Sequence, residues 1–129
     1  MSATGISILI VEDEAPIRSL LREILTPRFQ CFAVATAGEA VALIESRPIH
    51  LALVDMGLPG LSGLSLCRFI VNRSPHTAVI VVSGNTDTQS VAEAMKAGAS
   101  DYITKPFDLS EVVVTVERAL KRNSPADVA

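Results

Sequence analysis

Residues 6–25 read ISILIVEDEAPIRSLLREIL, and this stretch decides the fold. Ile6 to Val11 is a β-branched, almost wholly apolar run, the pattern of a strand buried on both faces rather than on one. Three acids, Glu12-Asp13-Glu14, then break the run. Pro16 stands where the first turn of a helix tolerates it, because the missing N–H has no intrahelical partner there in any case. Ile17, Leu20, Leu21, Ile24 and Leu25 follow at helical spacing and predict an apolar face. A doubly buried strand, a polar turn and an amphipathic helix make half of a parallel strand-helix-strand unit.

The same alternation recurs along the chain. Phe29 to Ala35 is a second strand, and Thr36-Ala37-Gly38-Glu39 has the form of a capping box that opens a helix to about Ser46. Leu51 to Asp55 is a third strand. The stretch from Gly57 to Gly63 is too rich in Gly and Pro to continue it, and a third helix is expected from Leu64 to Val71. Ala78 to Val82 predicts the fourth strand and Thr88 to Ala97 the fourth helix, stopped by Gly98 in the left-handed position past a helix end. Asp101 to Thr104 is a short fifth strand. Asp108-Leu109-Ser110-Glu111 again resembles a capping box, and Leu109, Val112, Val113, Val116 and Leu120 give the last helix its expected core face. Five such units predict an α/β fold: a doubly wound, five-stranded parallel sheet with helices on both faces. Residues 1–122 are expected to form that one domain, and 123–129 a C-terminal tail or the start of a linker.

The composition narrows the function classes. The 129 residues are 49% hydrophobic and 19% charged, which argues for a packed core rather than disorder. Eleven Lys and Arg against fourteen Asp and Glu leave a formal charge of −3, so no broad basic footprint for nucleic acid or anionic membrane is expected. Cys31 and Cys67 lack metal-site or redox spacing and predict reduced thiols. No signal-like N-terminus or membrane-length apolar run is evident, and a cytoplasmic setting is expected.

In an open parallel sheet, ligands bind beyond the carboxyl ends of the strands, where the strand order reverses. The first strand ends in Glu12-Asp13, the third in Asp55, the fourth in Ser83 and the fifth in Lys105-Pro106, whereas the second ends without comparable chemistry. That distribution fits the order 2-1-3-4-5 with the second strand at an edge. Singly, each of these groups is commonplace: a solvated helix entry, a cap, a turn. Jointly, they sit at the ends of four strands that the topology brings together. Glu12, Asp13 and Asp55 in one crevice would repel by about 4 kcal/mol per close pair at an effective dielectric of 20. Oxygen-only donors call for a hard cation, Mg²⁺ or Mn²⁺, with Lys105 adding a positive charge.

The runs Ile10-Val11-Glu12-Asp13-Glu14, Val54-Asp55-Met56-Gly57-Leu58-Pro59-Gly60, Val82-Ser83-Gly84 and Asp101-Tyr102-Ile103-Thr104-Lys105-Pro106-Phe107 resemble the receiver domains of two-component response regulators. The resemblance spans Ile6 to Leu120 and implies the flavodoxin-like (βα)5 form of the fold. It implies that Asp55 accepts a phosphoryl group from a sensor histidine kinase or phosphotransfer protein. Mg²⁺ would be held by Asp13, Asp55, the Gly57 carbonyl and, through water, Glu12. Lys105, preceding a cis Pro106, would pair with Asp55 and then with the phosphoryl group. Ser83 would hydrogen-bond that group, and Tyr102 would act as the aromatic switch. The altered face, made of the fourth helix, fifth strand and fifth helix, would address an output domain or partner protein and is a candidate for homodimer contact. Gly57 and Asn85 occupy the family's lifetime-tuning positions.

Two other classes use related chemistry. A haloacid-dehalogenase-like phosphatase also has a strand-end Asp nucleophile but needs a second Asp two residues on, where Gly57 stands. A flavodoxin-like FMN module needs backbone donors for phosphate after the first strand, where Glu12-Asp13-Glu14 would repel it. A receiver serving only as an interaction platform would not need the full set of Glu12, Asp13, Asp55, Ser83 and Lys105. His50 and His76 are expected at the surface, and Met56, Met95 and Cys67 in or near the core.

Overall fold

The computed structural model describes residues 5–122, so the expected tail at 123–129 lies outside the described residues. Five strands, β1 (Ser7–Val11), β2 (Gln30–Val34), β3 (Leu51–Asp55), β4 (Ala78–Ser83) and β5 (Asp101–Thr104), alternate with five helices. These are α1 (Ala15–Leu25), α2 (Ala37–Ser46), α3 (Gly63–Arg73), α4 (Thr88–Lys96) and α5 (Leu109–Arg122). All strand pairs are parallel and their order is β2-β1-β3-β4-β5, which places β2 at an edge.

Alternating side chains along the strands feed two cores. Leu9, Val11, Ala52, Val54, Val79 and Val81 face one side with Ala40 and Ile44 of α2, Leu66 and Ile70 of α3 and Ala94 of α4. Ile8, Ile10, Leu51, Leu53, Ile80 and Ile103 face the other with Leu21 and Leu25 of α1 and Val112, Val116 and Ala119 of α5. The three central strands β1, β3 and β4 are buried at every position, which explains their unbroken apolar runs. No helix of the described residues is long and apolar enough to cross a membrane.

Several expectations shift locally. Phe29 belongs to the turn closing α1 rather than to β2, because its N–H bonds the Leu25 carbonyl at 2.9 Å. Ser83 stays within β4, paired with Thr104. Helix α3 starts before Leu64 because Ser62 caps it, its hydroxyl accepting from the Ser65 N–H at 3.1 Å. Helix α4 is capped by Asp87. The Ser90 N–H and hydroxyl bond both carboxylate oxygens, at 2.8 and 3.1 Å, and hold that carboxyl below its usual range. At α5, the Glu111 N–H bonds the Asp108 backbone carbonyl at 3.1 Å.

Leu20, Leu109 and Met95, expected to pack inward, are 38%, 47% and 46% exposed. Each fits the helical period but stands outside the buried residues of its helix, which are Leu21 and Leu25 in α1, Ala94 in α4, and Val112, Thr115, Val116 and Ala119 in α5. Cys67 is fully buried as expected, and burial pushes its thiol up to about 11. At pH 7 it should react with a thiol reagent at least about 100-fold more slowly than a free cysteine of pKa near 8.5, since only the thiolate attacks. Reaction at the free-thiol rate in the native protein would contradict this burial.

The capping box of α2 forms with a variation. Thr36 Oγ1 accepts from the Glu39 N–H at 3.2 Å, while Glu39 reaches past the cap to the Ala35 N–H, also at 3.2 Å. Thr36→Ala should cost about 1 kcal/mol, read as a lower denaturation midpoint at unchanged slope. An unchanged midpoint would show that the cap contributes nothing.

Candidate functional site

The carboxyl ends of β1, β3, β4 and β5 surround an open cleft of about 460 Å³, lined in part by Asp13, Asp55, Gly57, Ser83, Asn85 and Lys105. The ladder runs on past the strands to set these side chains. The Glu12 N–H bonds the Val34 carbonyl at 3.0 Å, the Met56 N–H bonds Val82 at 2.9 Å, and the Lys105 N–H bonds Ser83 at 2.8 Å. Backbone pairing thereby holds the residues at the strand ends in place.

Glu12, Asp13 and Asp55 each place a carboxylate oxygen within 4.8 Å of the other two. Glu12 is 1% exposed and Asp55 5%, whereas Asp13 faces solvent. Lys105 Nζ lies 3.2 Å from both Glu12 Oε1 and Asp55 Oδ1. Burial raises the Glu12 carboxyl and the Asp55 charge raises it further, against the opposing pull of the Glu14 N–H and Lys105. Burial alone would lower the Lys105 ammonium, but the charges of Asp55 and Glu12 outweigh it and raise the group. One lysine thus faces three carboxylates, an imbalance suited to a further cation with oxygen ligands.

Both side-chain hydrogen bonds that Asp55 accepts among the described residues end on Oδ1, from Lys105 Nζ at 3.2 Å and the Gly57 N–H at 3.3 Å. Ser83 is 4% exposed, and its Oγ accepts from the Asn85 N–H at 3.0 Å. Tyr102 is half-buried, and its hydroxyl donates to the Asn85 carbonyl at 2.8 Å. The Lys105–Pro106 peptide is cis.

The residues singled out from the sequence therefore converge, with Tyr102 one hydrogen bond away from the loop that follows Ser83. His50 is exposed as expected, though its Nδ1 accepts from the Ser7 N–H at 3.0 Å and so serves the start of β1.

Sequence reasoning missed two residues that build the site. Arg18 of α1 reaches back so that Nη1 donates to the Glu12 carbonyl at 2.9 Å, with the Asp13 carbonyl at 3.4 Å, holding the acidic turn from behind. Its only sequence signal is a cation one helical turn into α1. Gly63 opens α3 directly against β3: a Cβ there would lie 2.3 Å from the Asp55 carbonyl oxygen and 2.6 Å from Met56 Cα. No pattern in the sequence distinguishes that glycine from its loop neighbours.

Comparison with known proteins agrees with this geometry. The family model for the response regulator receiver domain matches residues 8–117. The phosphate regulon transcriptional regulatory protein PhoB of Pseudomonas aeruginosa is 35% identical over 127 residues, covering 95% of this chain and 55% of the relative. The transcriptional regulatory protein KdpE of Mycobacterium tuberculosis is 36% identical over 121 residues, 92% of this chain and 53% of the relative. The chain thus spans about half the length of these relatives. Among solved structures, a CheY-like receiver domain protein from Methanospirillum hungatei superposes with a TM-score of 0.86 at 30% identity, covering 92% of this chain and 95% of that one. The beryllofluoride-activated DrrB receiver domain gives 0.84 at 31%, with 90% and 97% covered.

Proposed function

The chain belongs to the response regulator receiver family, a family of signalling switches, and from that premise we propose that Asp55 accepts a phosphoryl group from a phosphohistidine on a sensor kinase or phosphotransfer protein. The observation that carries the proposal is the division of labour on the Asp55 carboxylate. Oδ1 is occupied by Lys105 and Gly57, which leaves the Oδ2 lone pairs for attack on phosphorus. The new O–P bond forms as the N–P bond to imidazole breaks, and the imidazole nitrogen leaves with its electron pair and takes a proton.

This transfer passes through a loose, in-line transition state in which positioning and charge neutralisation do most of the catalysis. Lys105 has the reach to follow charge from Asp55 onto a phosphoryl oxygen, and as an ammonium it can do so without losing its link to Glu12. The Ser83 hydroxyl accepts from Asn85 and keeps its own proton free to donate to the phosphoryl group. Asp13, Asp55 and the Gly57 carbonyl would hold Mg²⁺, with Mn²⁺ as a substitute and Glu12 assisting through water. The acidic cluster and its shortage of positive charge fit such an ion. When bound, the ion neutralises charge on the transferring phosphoryl oxygens.

Tyr102 would report occupancy to the face formed by α4, β5 and α5, which would address an output domain or partner protein and, in a homodimer, a second copy. The domain proper would be residues 1–122, with 123–129 as tail or linker, and the chain itself would bind neither nucleic acid nor membrane. The test is incubation with acetyl phosphate: one acid-labile phosphoryl group per chain is expected with Mg²⁺ and none in excess chelator. No labelling with Mg²⁺ present, in protein shown to be folded, would overturn the proposal.

A further inference from the structure

The hydrogen bonds around Ser83 do not stop at Tyr102. The Asn85 N–H donates to Ser83 Oγ at 3.0 Å, and the Asn85 carbonyl accepts from the Tyr102 hydroxyl at 2.8 Å. The Tyr102 N–H in turn donates to Asp101 Oδ1 at 3.0 Å. Asp101 Oδ2 receives Arg118 through Nε at 3.2 Å and Nη2 at 2.9 Å, and Arg122 through Nη2 at 3.0 Å. Arg122 Nη2 also donates to the Ser100 carbonyl at 3.2 Å. A contiguous path therefore runs from the hydroxyl in the cleft to the last turn of α5, with one oxygen of Asp101 on each side of the junction.

We propose that Asp101 is a positioning residue that ties Tyr102 to the last turn of α5, so that occupancy of the Asp55 site is felt at Arg118 and Arg122. The inference rests on the functional reading of that site given above. A single surface ion pair would contribute little, but here two guanidinium groups converge on one carboxylate that is only 20% exposed and already fixed by its own backbone contact. Fixing the carboxylate removes part of the entropic cost that weakens isolated pairs. The two halves of the junction also separate chemically. Asparagine at 101 keeps a carbonyl oxygen for the Tyr102 N–H but loses the charge and the second acceptor that hold the arginines.

When a phosphoryl oxygen recruits Ser83, the loop beginning at Gly84 moves with it and the Asn85 carbonyl changes its position relative to the Tyr102 hydroxyl. Strain at Tyr102 is then shared with Asp101, because the two are joined both covalently and by the backbone hydrogen bond. The arginines follow the carboxylate, or release it. Either way, the helical hydrogen bonds at 118–122 change their opening equilibrium.

The experiment is amide hydrogen exchange, resolved by residue in NMR spectra, on the chain with and without Mg²⁺ and beryllofluoride as the phosphoryl mimic. Wild-type protein should show perturbed signals at Ser83 to Asn85 and a change of about 2- to 30-fold in exchange at 118–122, the range expected for coupling through a packed network. Asp101→Asn should keep the perturbation at Ser83 to Asn85 and lose the change at 118–122, as should the double variant Arg118→Gln, Arg122→Gln. An equal response at 118–122 in wild type and variants overturns the inference, as does a wild-type site that responds while 118–122 do not. A wild-type chain showing no response at Ser83 to Asn85 overturns instead the reading of the site on which the inference rests.

Discussion

Asp55→Asn should reduce labelling by acetyl phosphate and Mg²⁺ to background, a loss of at least about three orders of magnitude, because a neutral amide oxygen cannot replace a carboxylate as nucleophile. The substitution is nearly isosteric, and both bonds to Oδ1 involve donors that an amide oxygen can still accept. The fold should therefore survive, and its stability should hold or rise. Asp55 is one of the charges that raise the buried Glu12 carboxyl, and removing it relieves a like-charge contact while Lys105 keeps Glu12 as its partner. The substitution also gives up the attraction between Asp55 and Lys105, which offsets most of the relieved repulsion from Glu12 and Asp13, so a net gain of up to about 2 kcal/mol in Mg²⁺-free buffer is the expected scale at an effective dielectric near 20. Loss of labelling together with unchanged or higher stability separates a missing nucleophile from a damaged fold. A variant that labels normally would place the acceptor elsewhere, and one that unfolds would show that the carboxylate is structural.

The second large effect is expected at Gly63. Because the atoms a Cβ would meet are backbone atoms of Asp55 and Met56, no rotamer change can make room, and α3 must move away from the end of β3. Gly63→Ala should cost roughly 1–3 kcal/mol, the usual range for overpacking, and at about 5 °C per kcal/mol the melting midpoint should fall by about 5–15 °C. The displaced backbone carries Asp55, the proposed nucleophile, so labelling of the folded variant should also slow, by up to about 100-fold for a shift near 1 Å. Gly57→Ala is the matched comparison. A Cβ there meets nothing nearer than the Asp55 carboxylate oxygens at 3.9 Å, so stability should change little. Equal melting midpoints for Gly63→Ala and wild type would contradict the close approach of α3 to β3.

Much of this arrangement was legible in the sequence for a reason particular to parallel sheets. Strands buried on both faces exclude polar residues until they end, so Glu12, Asp13, Asp55, Ser83 and Lys105 mark both the strand ends and the cleft. The edge position of β2 followed from its lack of such chemistry. What was not legible depends on distances between backbones or on how far a neighbouring layer extends. Arg18 acts on carbonyl groups, which every residue possesses, so nothing in the residue types at positions 12 and 13 points to it. Gly63 looks like one more loop glycine until α3 is laid on β3. Leu109 and Met95 fit the helical period and are nevertheless exposed, because periodicity gives the direction of a face and not its width. Asp101 gave no sign of its arginine partners, since they lie 17 and 21 positions away on another element.

On the proposed function, one carboxylate, at the end of β3, carries the phosphoryl group. The most direct measurement is to label wild-type protein with acetyl phosphate and Mg²⁺, trap the acyl phosphate by borohydride reduction, and locate the modified residue by peptide mass spectrometry. Reduction of a single side chain, Asp55, is expected, in a reaction abolished by chelator. Modification confined to Asp13, to Glu12 or to any residue outside the cleft would contradict it.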